Sequence, residues 1–560
     1  MPKVAAIAID AAEWWYLERL LDAGQLPNLA RLRARSAEWP LETPMAYRSE
    51  LVWARFLTGR EPLEDRDWAV SITFDPATYD VGLNPASTTA PFYALGPGTK
   101  VVCLDLVHSA TVDDVDGVQV VAWGSHSPHW PRSSRPVGLL SEIDERFGTN
   151  PAFGNDFGFG WHDPAFLDAL GDACRVGGER RADIAEWLLE ENPDWDLFLI
   201  GLSELHSLGH QAWHGVDERH PLHGVVPTSD QARRVMDEGA AAIDEVLGRL
   251  IDAAGDDATV LVFALHGFQP ADDVASPVLL PELLLRAQDR RALCDHPQRS
   301  WRRAGCPPLV PDPAANADDR FFDELVDTPK QRARHAVRRT LPDGTFGLLR
   351  RAAGRDSAPT RSTMARRTPP EERREITPAV LDGFTTPPVY EPVYRYRRHW
   401  SSMRYFALPS FADGHVRINV RGREAEGLVD PADYQAALDE VEALVRACRD
   451  ARTGASVVAD VLRMREHDPM DPDGPDADLL IVWEGAPDAI DHPELGTIGP
   501  FAHLRTAHHS PNGFALLAAP GVEPGPRSVR PSEDLTPTIL RLLGAEPPAG
   551  IRGRPLHEAP

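Results

Sequence analysis

Lysine is nearly missing from this 560-residue chain: Lys3, Lys100 and Lys330 are all there is, and arginine takes its place. That swap is a coding bias and carries no functional message. Positive charge as a whole is in deficit, with 58 basic against 85 acidic residues and a formal net charge of -27. A surface of that sign repels nucleic acid and anionic membranes, so neither is an expected partner. An anionic substrate therefore needs local positive charge, from metal ions or clustered arginines. The five cysteines (Cys103, Cys174, Cys294, Cys306, Cys448) are odd in number, scattered and free of any CxxC pair, which fits reduced thiols in a cytoplasm. Long apolar runs are missing too. The apolar start at residues 4–9 is too short for a signal segment, and no run approaches a membrane span. A soluble, cytoplasmic protein is the expectation.

The richest stretch is residues 196–214, DLFLIGLSELHSLGHQAWH. Its apolar first part, with Phe198, Ile200 and Leu202, has the pattern of a buried strand. Polar residues begin where that strand ends. If the chain turns helical after Ser203, His206 and His210 stand at i and i+4 on one face. Two imidazoles so placed can grip one metal ion at the carboxyl end of a strand, where open α/β sheets bind ligands. Two solvated or core histidines are the alternative reading of the same spacing.

The rest of the chain repeats this rhythm. Residues 3–9, 101–106, 118–123 and 259–264 read as buried strands, and residues 14–21, 27–35, 139–147, 180–190 and 232–250 as helices. Asp10 and His266 fall just past strand ends, like His206 and His210. Ser49 precedes a helical stretch at residues 50–57 that stops at Thr58-Gly59, as a helix cap or as a hydroxyl facing an approaching phosphate. From residue 288 to 384 arginine and proline dominate, which marks a partly helical insert or lid, with a helical piece at residues 321–339. Strands resume at residues 405–409, 415–420, 457–465 and 479–483, with helices at 434–449 and 535–543. The fold expected is α/β, a mostly parallel sheet flanked by helices. Residues 1–287 form its first part, 288–384 the insert, and 385–560 cap strands and the end of the core.

These pieces in this order resemble the alkaline phosphatase superfamily, and within it the type I phosphodiesterase/nucleotide pyrophosphatase branch. The residues that carry the resemblance are Ala5 to Asp10, Gly24-Gln25-Leu26-Pro27-Asn28-Leu29, Ser49 to Thr58-Gly59, Arg505-Thr506-Ala507-His508-His509, Asp534 to Leu543 and Gly553-Arg554-Pro555-Leu556. The resemblance implies two metal ions, zinc in kind. Asp10, Ser49 as nucleophile, and His266 would hold one; His206, His210 and His509 would hold the other. Two positions depart from the family pattern. His206 stands where the family has Asp, and Leu265 replaces the Asp before His266. Imidazole also ligates zinc, so the first change keeps a ligand. The second removes a carboxylate and weakens the case for the ion at Asp10.

The chemistry implied is hydrolysis of a small anionic phosphate ester, most simply a phosphodiester or pyrophosphate, through a phosphoserine. Arg417, Asn419 and Arg423 on the cap-like strands, and His126 and His214 near the rim, are candidate substrate contacts, each with a structural role as the alternative. A phosphomonoesterase, sulfatase or phosphonate hydrolase would share these ligands. A degenerate member that binds a metal or ligand without turnover is the reading from another class, and Leu265 is its support.

Overall fold

The structure is a computed structural model that describes residues 2–45, 51–62, 72–83, 89–124, 132–152, 160–270, 274–289, 291–294, 298–311, 333, 393, 395–410, 412–465, 468–472 and 474–557. Ser49, His126 and most of the insert expected at 288–384, including all but residue 333 of its helical piece, lie outside the described residues.

The first strand, β1 (Val4–Ile9), is buried along its whole length between two parallel neighbours, β6 (Leu197–Leu202) and β7 (Thr259–Ala264). All three are continuous apolar runs, because a parallel strand covered by helices on both faces has no solvent side. On β1, Ala5, Ile7 and Ile9 feed one apolar cluster while Val4, Ala6 and Ala8 feed another on the opposite face. That alternation is the period of two of a pleated strand. The sheet continues through β3 (Gly96–Leu104), β4 (Val115–Val121) and the antiparallel edge β5 (Ser133–Arg135). On the other side β7 pairs with β14 (Asn512–Ala518), which runs antiparallel and is followed by β2 (Ala37–Glu42). The mostly parallel α/β sheet expected from the sequence is the one observed.

Helices α1 (Trp14–Asp22), α2 (Pro27–Arg33), α5 (Pro164–Glu191) and α7 (Ser229–Ala254) cover one face. The opposite face is covered by α3 (Leu51–Thr58) and α10 (Leu535–Leu542). Helix α4 (Leu139–Phe147) matches its expected bounds. Helix α5 is longer than its sequence pattern, since Gly171, Gly177 and Gly178 dilute the signal in its first half. Its start is nonetheless well marked, by Asp163 accepting from the Ala165 amide at 2.9 Å and by Pro164 in the first turn. Strand β2 escapes the sequence reading because Pro40 interrupts it.

A second apolar core lies in a cap. Strands β9 (Tyr405–Leu408), β10 (Gly414–Ile418), β12 (Leu479–Trp483) and β11 (Val458–Arg463) form an antiparallel sheet in that order. Helices α8 (Leu280–Asp289) and α9 (Tyr434–Arg446) pack into the same cluster, as do Phe74 and Tyr79 of a hairpin between residues 72 and 83.

At the carboxyl edge of the main sheet the backbone turns sharply. Ala11, Asp105 and Ala122, just past β1, β3 and β4, hold positive φ of 55°, 59° and 57°. Beneath this edge Arg181 is fully buried, donating to Asp105 at 2.6 Å and to Glu204 at 3.0 Å. Glu204 opens α6 (Glu204–Ala212), so one guanidinium ties a strand end to the helix that carries His206 and His210. Removing it leaves two buried carboxylates without their cation. Arg181→Met is therefore expected to cost about 3–5 kcal/mol of stability, read as a lower urea midpoint.

Candidate metal centre

Helix α6 starts directly at the end of β6 and is buried along its whole length, with His206 and His210 one turn apart. Their rings stand 4.4 Å apart, with 3.2 Å between the Nε2 atoms. The third histidine arrives from far along the chain. Strand β13 (Ala507–Ser510) pairs antiparallel with β8 (Gly267–Pro270), setting His509 opposite Phe268. Gly209 makes room for this pair: a Cβ there would collide with the Phe268 ring. The His210 Nδ1 donates to the Ala507 carbonyl at 2.9 Å, and the Thr506 amide donates to the His210 carbonyl at 2.7 Å. These bonds place His509 Nε2 at 3.0 Å from His206 Nε2. Among the described residues, His206, His210 and His509 offer ligand atoms that all lie within 4.8 Å of one another.

The protonation of this group decides what it suits. With its Nδ1 hydrogen given to Ala507, a neutral His210 presents a lone pair at Nε2. His206 Nε2 faces both His210 and His509 and can donate one proton to one of them. The remaining contact is then left without a proton shared between its two nitrogens. A fourth proton would relieve this, but burial pushes the His210 and His509 pKa well below the usual imidazole value, with Arg505 and His206 adding to the effect on His210, and His266 and His206 on His509. A divalent cation satisfies all three nitrogens at once, and neutral imidazoles are its ligands.

Asp10, at the end of β1, and His266, at the end of β7, come to the same rim. His266 Nε2 lies 3.4 Å from Asp10 Oδ1, and its ring overlaps that of His509 at 4.1 Å between centroids. Asp10 Oδ1 also accepts from the Trp53 indole at 3.1 Å. Leu265 packs with Trp53 and Phe263 in the apolar cluster beneath α3. Among the described residues, Asp10 and His266 offer an ion fewer donors than the three histidines do.

The other candidates sit elsewhere. His214 turns to Thr228 Oγ1, 3.2 Å away, and to the rings of Trp161 and His220. Arg417 donates to Glu424 at 2.7 Å, Arg423 to both oxygens of Asp478 at 2.7 Å, and Asn419 to the Met403 carbonyl at 2.9 Å. These three side chains hold the cap together from within, and the structure does not bring them to the histidines. Glu13 was not singled out by the sequence reading, yet it is buried beside the β8–β13 pair, accepting from the Phe268 amide at 3.0 Å and from Ser510 Oγ at 2.6 Å. Burial pushes its carboxyl up to about 7.

A family model for type I phosphodiesterase/nucleotide pyrophosphatase matches residues 4–344. The chain belongs to this family. It is thereby a member of a family of phosphoester hydrolases, and Asp10, Ser49, His206, His210 and His266 fall inside the match while His509 lies beyond it. Among solved structures, phosphonoacetate hydrolase from Sinorhizobium meliloti 1021 in complex with phosphonoacetate is 13% identical, covering 97% of this chain and 96% of that one, with a TM-score of 0.44. Murine ectonucleotide pyrophosphatase/phosphodiesterase 5, inactive and in complex with AMP, is 9% identical over 98% of this chain and 96% of that one, with a TM-score of 0.43. Wild-type alkaline phosphatase PafA is 11% identical over 99% of both chains, with a TM-score of 0.44. No curated protein sequence matches the chain. No helix among the described residues is long and apolar enough to cross a membrane.

The buried histidines make stability pH-dependent in a stated direction. His210, His214, His220 and His509 all have folded pKa values below the unfolded value of 6.5. The unfolded chain then binds more protons, so stability is present above that pH and is lost as pH falls below it, by up to about 1.4 kcal/mol per unit per group. Glu13 acts oppositely: its folded value of about 7 lies above 4.5, so its contribution is present at low pH and lost as pH rises through 7. Asp488, raised to about 6, and Glu282 and Asp476 act as Glu13 does, and the histidines with lowered values, His399, His415 and His492 included, outnumber these carboxyls. The melting temperature of metal-free protein is expected to fall steadily from pH 6.5 to pH 5, read by calorimetry.

Proposed function

We propose that the protein is a metal-dependent hydrolase of small anionic phosphate esters, acting on a phosphodiester or pyrophosphate through a phosphoserine at Ser49. The observation that carries this reading is the convergence of three Nε2 atoms, at 3.0 and 3.2 Å, on a buried rim at the carboxyl ends of β1, β6 and β7. His206, His210 and His509 would hold a divalent ion, zinc by the chemistry of an all-imidazole set. When bound, such an ion supplies Lewis acidity to phosphoryl oxygens and positive charge to a protein that is otherwise strongly acidic. On the sequence reading Ser49 precedes the helical stretch at residues 50–57, whose amino end would favour an approaching phosphate, and it would form the new P–O bond as the ester oxygen leaves. Asp10 and His266 would orient this chemistry from the same rim, with a second ion bound weakly or only when phosphate is present.

Two measurements test this. On a panel of chromogenic monoesters and diesters, Ser49→Ala is expected to lose activity on the order of a thousand-fold or more with metal content nearly intact; near-normal turnover would remove Ser49 from the mechanism. Zinc titration of metal-free protein is expected to show one tight site and one weak site. Leu265→Asp should tighten the weak site while lowering metal-free stability by about 1–3 kcal/mol, because a polar group enters an apolar cluster. Two equally tight sites in the unmodified protein would contradict the inequality. Metal binding without turnover on any ester would favour the non-catalytic reading that Leu265 supports.

A further inference from the structure

Glu13 occupies the residue before α1, a place where short side chains usually cap the helix, yet its carboxylate makes no cap bond. It reaches instead to the β8–β13 pair, where a single oxygen, Oε2, accepts from the Phe268 amide at 3.0 Å and from Ser510 Oγ at 2.6 Å. The two donors sit on opposite strands, and the pairing register is Gly267 with Ser510 and Phe268 with His509. Gly267 keeps the space open, since a Cβ there would collide with Glu13 Oε2. One buried oxygen thus pins both strands next to the residue that completes the histidine group.

The pair has a second anchor on its other side, the bonds from His210 and Thr506 already described. Between the two anchors, His509 is held where its Nε2 lies 3.0 Å from that of His206. Metal–imidazole bonds of about 2.0–2.1 Å leave small tolerance for a ligand strand that shifts. We infer that Glu13 is the positioning residue of the histidine centre, fixing the height of His509 above α6 through its bonds to Phe268 and Ser510. This inference rests on the metal reading of the three histidines. It adds a carboxylate that touches none of them. The carboxyl, raised to about 7 by burial, can take a proton on its other oxygen while Oε2 still accepts both bonds. The bonds matter here, and the charge does not.

The test uses the full chain freed of metal and titrated with zinc against a chromophoric competitor, with cobalt absorption as a second readout. Glu13→Ala is expected to weaken zinc binding about tenfold, the low end of the cost of losing a group bonded directly to a metal ligand, since Glu13 acts one residue removed. It should also change the cobalt visible band at saturation, whereas a residue that served stability alone would lower the melting temperature and leave the band as it was. Glu13→Gln keeps an oxygen that accepts both bonds and is expected to bind zinc nearly as the unmodified protein does. Glu13→Ala binding as tightly as the unmodified protein would overturn the inference, and so would Glu13→Gln binding as weakly as Glu13→Ala. If Glu13→Ala fails to fold, Ser510→Ala decides: it removes one of the two bonds, is expected to weaken zinc measurably, and overturns the inference if it does not. Failure of the unmodified protein to bind zinc, with His509→Ala as the matched control, would instead overturn the metal reading itself.

Discussion

Three imidazole nitrogens facing one another in a buried rim cannot all be satisfied by protons. His206 Nε2 stands 3.0 Å from His509 and 3.2 Å from His210. Burial keeps His210 and His509 neutral, so the group is a set of donors suited to a cation. The surrounding structure holds the three rings in this arrangement. Arg181 fixes the start of α6, Phe268 fills the notch left by Gly209, and the pairing of residues 267–270 with 507–510 delivers the third ring.

The parallel sheet gives these parts a common edge. Asp10, His206 and His266 follow β1, β6 and β7, three adjacent strands whose carboxyl ends point the same way. Chain segments about 200 and 250 residues apart therefore meet without any loop having to reach far. The cap has a separate apolar core and its own charge network, in which Arg417 and Arg423 face Glu424 and Asp478. Its contribution to the rim comes through the chain that leaves it and returns as β13.

The fold was largely legible because its inner strands are apolar on both faces. Residues 259–264 and 479–483 were read with the bounds observed, as was the helix at 139–147. Where the code is local it was readable: the spacing of His206 and His210 sets them one turn apart on a helix that follows a strand, as the structure has them. His509 does not, since its place depends on pairing with a strand about 240 residues earlier, and it was reached through family resemblance. Glu13 gave no signal at all. A glutamate at the start of a helix is ordinary, and its two partners are a backbone amide and a serine hydroxyl, 255 and 497 residues away. Arg417, Asn419 and Arg423 also have partners that the sequence does not show, at Glu424, the Met403 carbonyl and Asp478.

The account stands on an ion at the three histidines, and anomalous diffraction from crystals grown with zinc observes that directly. The account predicts a strong peak at about 2.0–2.1 Å from the Nε2 atoms of His206, His210 and His509 together, with any peak near Asp10 weaker. Zinc bound at Asp10 and His266 while the three histidines stay bare would contradict it.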